Sequence, residues 1–454
     1  MAFAAHLRWI CAAVAAIVAA TGCGGDDGPY LLRCNVRDPG CQQAIFASLA
    51  SLLAAEPENR PSIRVIAPEQ LRAEIERGEA PFTLPTEGVE QRAFRAMGFS
   101  PDTEGDVYQL AIESIVRNTT AYYDSGVITI VERDYEPGDV QFTLAHELVH
   151  AVRDRELGLP DLTALPSSDQ LSATRSIYEG DADYFAHRWY YEAEATPLTR
   201  SDWSYINGQR LDDLYLLAAD LEKGFFEAVN RFPYVQGMYV ITQLVQREAE
   251  NKRRYLMTNP STNTYDVLFS SVSELGRGRP TYEPTGVLPP DGYGLVFTDE
   301  LGAWDLYVFL RRLQPAQDEG SSGWSSRQGY SVTRPNGDSF DISPAEDWRG
   351  DRLRVYQRDG EVVAVWHVRY RTRDYLDFYD DVLLDMVNDS SSAPPFSAAR
   401  RTSEDEVAFV FAETRSSLDE WLSQPLIPPS FLASAAKKSA GSKRHAGPVC
   451  VKRR

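Results

Sequence analysis

His146-Glu147-Leu148-Val149-His150 holds the residues of this chain whose types and spacing best suit chemistry. On a helix, positions four apart share a face, so both imidazoles can point at one ion. Neutral imidazole suits zinc, and Glu147, one residue after the first histidine, can reach a water on that metal without being a ligand itself. That is the position of a general base in metal-assisted hydrolysis. The same spacing also arises on exposed helix faces. Here Phe142, Ala145, Val149 and Val152 give the segment an apolar stripe at helical spacing, and Pro137-Gly138-Asp139 offers a helix start with Asp139 as expected N-cap.

Two histidines and one further protein ligand leave the fourth position of a tetrahedral zinc open. A histidine ten residues after the first, with a glycine between, is one known source, but Glu156 and Arg153 stand there instead. A glutamate from a following helix is another. Asp169 to Glu194 reads as that helix and carries Tyr178-Glu179-Gly180-Asp181-Ala182-Asp183. Glu179 and Asp183 share a face, so one can bind the metal while the other accepts the free N–H of a ligand imidazole. The expectation is Glu179 on the metal and Asp183 behind it. Asp183 as the ligand is the main alternative, with Asp154 and His187 after it.

The elements that must position these groups follow from patterning. Helices are expected at Gln42–Ala55, Pro68–Arg77, Asp106–Asn118, Asp212–Val229, Val235–Ala249, Thr298–Leu313, Asp374–Val387 and Ser416–Leu422. Ser62–Ile66 reads as a short strand. Ala121-Tyr122-Tyr123-Asp124-Ser125-Gly126 turns into an apolar strand, Val127–Val131, just before the histidine helix. If that strand has a free edge, an extended peptide can pair with it and lie across the metal; an interior strand is the other reading. Asp359-Gly360 between two apolar runs signals a hairpin, and Val407–Ala412 a further strand. Pro280–Tyr293 reads as a loop and Glu319–Trp324 as Gly/Ser-rich. His367, at a strand end, is expected to be packed rather than catalytic.

Composition sets bounds. The chain has 454 residues, 43% of them apolar, enough for a sizeable core, and a formal charge of −20 argues against nucleic-acid binding. Residues 1–22 combine Arg8, a short apolar run and small residues, which reads as an export signal. Ala20-Thr21-Gly22-Cys23 resembles the lipobox of bacterial lipoproteins, which implies lipidation of Cys23, attachment to a membrane and an envelope location. Export makes a Cys34–Cys41 disulfide feasible. The expected layout is an anchor segment over 23–60, a metal domain over 61–280, a smaller C-terminal α+β region over 281–428 and a basic tail over 429–454.

The His-Glu-x-x-His helix followed by Glu179-x-x-x-Asp183 resembles the gluzincin clan of zinc metallopeptidases, the thermolysin-like group. Thr143 to Asp154, Tyr178 to Asp183 and Tyr122-Tyr123-Asp124 are further similar to exported bacterial metallopeptidase lipoproteins. Looser matches continue with Tyr234-Val235-Gln236-Gly237, Pro260-Ser261-Thr262 and Trp348-Arg349-Gly350-Asp351. The resemblance implies an α+β, zincin-like fold in which a mixed sheet packs on the active-site helix beside a helical subdomain. It also implies a peptide or protein substrate. Tyr234, with Tyr239 beside it, is a candidate oxyanion donor, a role tyrosine often fills in such enzymes; a packed or surface tyrosine is the other reading. Two other readings use the same residues: an envelope lipoprotein that keeps this fold without turnover, and a metal-dependent hydrolase of a non-peptide amide.

Overall fold

The computed structural model describes residues 34–56, 59–82, 88–99, 107–133, 137–159, 162–192, 197–220, 225–247, 249–271, 273–276, 282–284, 286–313, 331–333, 339–341, 343–371 and 394–427. The export signal with Cys23, the segment 319–324, the helix expected over 374–387 and the basic tail over 429–454 lie outside these residues.

The chain is a mixed α+β protein. α1 (Pro39–Leu53) starts with proline in its first turn and Asp38 as N-cap, and buries Ile45, Phe46, Leu49 and Leu53 along one stripe. A disulfide joins Cys34 to Cys41 across its start. β1 (Ser62–Ile66), α2 (Pro68–Glu76), α3 (Val89–Ala96) and α4 (Val107–Asn118) follow, then β2 (Ala121–Asp124) and β3 (Val127–Val131). In the resulting three-stranded sheet β3 is central, parallel to β1 and antiparallel to β2. Val127–Val131 is therefore an interior strand; β1 and β2 are the two edges, and β2 is the one that packs on α5. Ser125 and Gly126, at φ 48° and 88°, make the two-residue turn between them. Val131 N donates to Thr120 O, so by ladder alternation the amides and carbonyls of Ala121 and Tyr123 face away from β3.

α5 (Pro137–Leu157) packs on this sheet and carries the histidine motif. It begins at Pro137, so Asp139 is not its N-cap but sits in the first turn, where a carboxylate favours the helix dipole. α6 (Ser168–Tyr191), capped by Ser167, is the central element and is buried almost throughout from Ala173 to His187. α7 (Arg200–Ala219), α8 (Phe225–Gln246), α9 (Glu250–Thr258) and α10 (Thr264–Phe269) pack around it. The helix expected over Asp212–Val229 is two: α7 ends at Ala219 and α8 begins at Phe225, so that α8 packs on both α7 and α6. Apolar spacing ran unbroken through that boundary and hid it.

The α6–α8 crossing sets much of the geometry that follows. A Cβ on Gly180 would stand 2.2 Å from the backbone of Gly237, and one on Gly237 would stand 2.0 Å from Ser176 O. The two backbones touch there because both residues lack a side chain. Gly237→Ala is expected to lower stability by about 1–3 kcal/mol through overpacking, read as a lower urea midpoint. An unchanged midpoint would show that the helices part freely.

β4 (Gly294–Asp299), α11 (Ala303–Leu313), β5 (Trp348–Arg358), β6 (Glu361–Tyr370), β7 (Ser397–Ser403), β8 (Glu406–Ala412) and α12 (Arg415–Leu422) complete the chain's principal elements. Thr298 and Asp299, expected as helix, belong to β4, which pairs with β5; Gly302, at φ 96°, separates strand from helix. The five-stranded antiparallel sheet runs β7-β8-β6-β5-β4, with Asp359 and Gly360 both at positive φ in its central hairpin. One face, with Leu353, Val355, Trp366, Phe409 and Phe411, joins the helices in a single core that also holds Phe99, Phe225 and Phe309. The other packs on Leu418 and Trp421 of α12. The apolar core thus continues across residue 280.

Two of the loosely matched motifs hold architectural residues, Asp351 with Gly350 and Gly237. Asp351 accepts four N–H groups, from Leu301, Gly302 and the indoles of Trp348 and Trp366, pinning the start of α11 to the sheet. A side chain on Gly350 would strike Tyr282, and Gly237 is the crossing glycine. His367 is buried against Glu406. Among the described residues no helix is long and apolar enough to cross a membrane.

Candidate metal centre

α5 and α6 pack side by side and bring His146, His150 and Glu179 together. His146 Nε2 and His150 Nε2 are 3.0 Å apart, and each is 3.2 Å from Glu179 Oε2. A tetrahedral ion with bonds of about 2.0–2.1 Å separates its ligand atoms by about 3.3 Å. The three atoms stand close to that spacing, converge on one point and belong to ligand types that suit zinc. No other group of three such residues qualifies among the described residues.

The tautomer is set from behind. His146 Nδ1 donates to Asp183 Oδ1 at 2.8 Å, leaving Nε2 as the lone-pair nitrogen toward the centre. Asp183 is held by Arg210 through its other oxygen, and His187 donates from Nδ1 to the Asp183 carbonyl at 2.8 Å. Burial and the Arg210 charge push His187 down to about 4, so it is neutral and its Nε2 accepts from Arg210. Burial opposes ionisation of Asp183, but Arg210 and His146 outweigh it and hold the carboxyl below its usual range. Burial likewise opposes the charge of Glu179, yet its hydrogen bonds to the two histidines, helped by Arg175, keep it well below the carboxylate range. At His146 burial works against a charged ring, while Asp183 and Glu179 raise its pKa to about 10. Two buried carboxylates thus favour positive charge at this point, supplied in part by Arg210 and Arg175, and the three converging atoms are a set that could hold a metal ion.

Glu147 is buried in the same place, and its Oε1 has no hydrogen-bond partner. Burial raises its pKa, His146 and His150 draw it back, and the Tyr123 backbone amide of β2 also favours its ionised form. An orphaned carboxylate oxygen beside a ligand triangle is what a general base awaiting a water requires.

Tyr234 enters from α8 next to the Gly237 crossing. Its ring centroid is 6.0 Å from that of His146, and its hydroxyl accepts from Arg175 Nη2 at 3.4 Å. Arg175 also lies 3.6 Å from Glu179 Oε1, one helical turn before it. Of the alternative ligands, Asp154 is engaged by the Tyr123 hydroxyl and the Leu159 amide, and His187 serves the Asp183 carbonyl. Neither belongs to the ligand cluster. Sequence reasoning missed Arg175 and Arg210. Arg175 was detectable in principle, four residues before Glu179; Arg210 comes from α7 and carries no local signal.

Removing the carboxylate behind a ligand histidine costs about 10–100-fold in metal affinity. Asp183→Ala is therefore expected to weaken zinc binding by about that much, and Glu179→Ala by more, in a titration against a chromophoric chelator. The reverse order would make Asp183 the ligand.

Comparison with protein-family models, with curated proteins and with solved structures finds no match to this chain. The site's chemistry rests on its own geometry: a candidate metal centre in an α+β protein.

Proposed function

We propose that this protein is a zinc metallopeptidase with a zincin-like, gluzincin-type centre, exported to the bacterial envelope and anchored there through a lipid on Cys23. One observation carries the reading: three candidate ligand atoms within 3.2 Å of one another, with the buried Glu147 carboxylate nearby keeping one oxygen, Oε1, without a partner. His146, His150 and Glu179 would hold zinc, which would supply an acidified water, of pKa about 7, and polarise a carbonyl. Glu147 takes the attacking water's proton and returns it to the leaving amine. Tyr234, steadied by Arg175, donates its hydroxyl to the developing oxyanion. Asp183 keeps the His146 ring oriented. The outward carbonyl of Tyr123 on edge strand β2 accepts from an extended peptide laid past Glu147, while the Tyr123 amide stays on Glu147. The Cys34–Cys41 disulfide supports export.

Zinc analysis of the purified protein, with a peptide-library digest before and after chelation, tests this. One zinc per chain with cleavage abolished by chelator and restored by zinc is expected. A zinc-loaded protein that cuts no peptide would leave a binding or non-peptide role.

A further inference from the structure

A cleft of about 350 Å³ opens along α5 just past His150, between the β2–β3 turn, the second half of α5 and residues 59–61. Resting on the peptidase reading above, we propose that this cleft selects a carboxylate on the substrate, with Arg60 and Arg155 as the selecting residues.

Tyr123 ties the cleft to the reacting centre. Its hydroxyl donates to Asp154 Oδ2 at 2.6 Å in the cleft wall, one helical turn past His150 on α5. A peptide pairing with β2 advances by roughly 3.3 Å per residue. A side chain one or two residues from the scissile bond, on the side of the β2–β3 turn, thus reaches the cleft.

The cleft is lined by two arginines and a single carboxylate, Asp154. At a net charge of −20 this protein's arginines commonly sit against carboxylates, as Arg64 does on Glu74, Arg210 on Asp183, and Arg153 and Arg253 on Asp181. Arg60 and Arg155 have no carboxylate partner among the described residues: Arg60 donates to Gln42 Oε1 at 2.6 Å, and Arg155 to Asn59 O. Each guanidinium has five N–H groups and keeps donors to spare. The acid of the cleft, Asp154, has both oxygens engaged, by Tyr123 and the Leu159 amide. Two planar cations against one occupied anion recognise a carboxylate, by bidentate hydrogen bonds where the geometry allows.

The carboxylate comes from an aspartate or glutamate side chain or from a substrate's C-terminus. The test uses the full chain carrying Glu147→Gln, loaded with zinc, and fluorescein-labelled hexapeptides read by anisotropy. One series places glutamate or glutamine at each position in turn; a second compares free with amidated C-termini. A glutamate peptide, or a free C-terminus, is expected to bind about tenfold tighter than its neutral counterpart. The gap should shrink with added salt and close in the Arg60→Gln/Arg155→Gln double variant. Equal binding of charged and neutral peptides, or a preference surviving the double variant, overturns the cleft assignment while leaving the peptidase reading intact. Failure of every peptide to bind removes both.

Discussion

Glu147→Gln is expected to retain zinc and to lower kcat for peptide hydrolysis by roughly 10²–10⁴-fold, the usual contribution of a positioned general base. The substitution keeps the shape of the side chain and removes only its ability to take a proton. Oε1 of Glu147 is buried without a partner and burial raises the carboxyl's pKa, so a neutral amide suits the spot at least as well, and stability should not fall. The candidate ligand atoms belong to His146, His150 and Glu179, so on the proposed reading zinc stoichiometry should stay at one per chain. Metal analysis, urea unfolding and steady-state kinetics on one preparation separate the outcomes. Full turnover by the variant removes the base assignment, and loss of zinc would make Glu147 a ligand.

The largest stability effect is expected at Asp181, on the side of α6 away from Glu179. Its carboxylate is fully buried, accepts from Arg153 Nε of α5 at 2.9 Å and is also paired with Arg253 of α9. Phe185 lies beneath both guanidiniums, at 5.1 and 5.2 Å. Burial opposes the charge of Asp181, but the two arginines outweigh it and lower its pKa. Asp181→Ala leaves two buried guanidiniums facing a gap, and breaking a buried pair costs about 3–5 kcal/mol. The urea midpoint should drop accordingly, and Asp181→Asn, which restores shape and one acceptor, should recover part of it. A loss below about 1 kcal/mol would mean that Glu156 and Glu250, the arginines' other partners, suffice to hold them. Because Asp181 lies two residues from both Glu179 and Asp183, the same ion cluster sets the roll of α6 and hence the aim of those carboxylates.

Legibility of the fold followed local signal. The histidine helix, the strand Ser62–Ile66 and the hairpin at Asp359-Gly360 were readable because periodicity and turn chemistry act within a few residues. β7 was not anticipated: Ser397-Ala398-Ala399-Arg400-Arg401 has neither alternation nor β-branched residues, and it is a strand because β8 offers it an edge. The boundary between α7 and α8 was invisible for the opposite reason, since helical spacing continued where packing on α6 required two helices.

The sequence by itself determined which side chains are available for metal chemistry and that His146 and His150 share a face, because helix geometry is local. It also nominated Glu179 and Asp183 as a pair four apart. Only the tertiary structure decided that Glu179 rather than Asp183 lies by both Nε2 atoms, that β3 is interior with β1 and β2 at the edges, and that Tyr234, Arg175 and Arg210 lie around the centre. Those relations depend on how three helices cross, and the crossing rests on two glycines in contact and one buried carboxylate between two arginines. Contacts between residues dozens of positions apart leave no periodic trace along the chain.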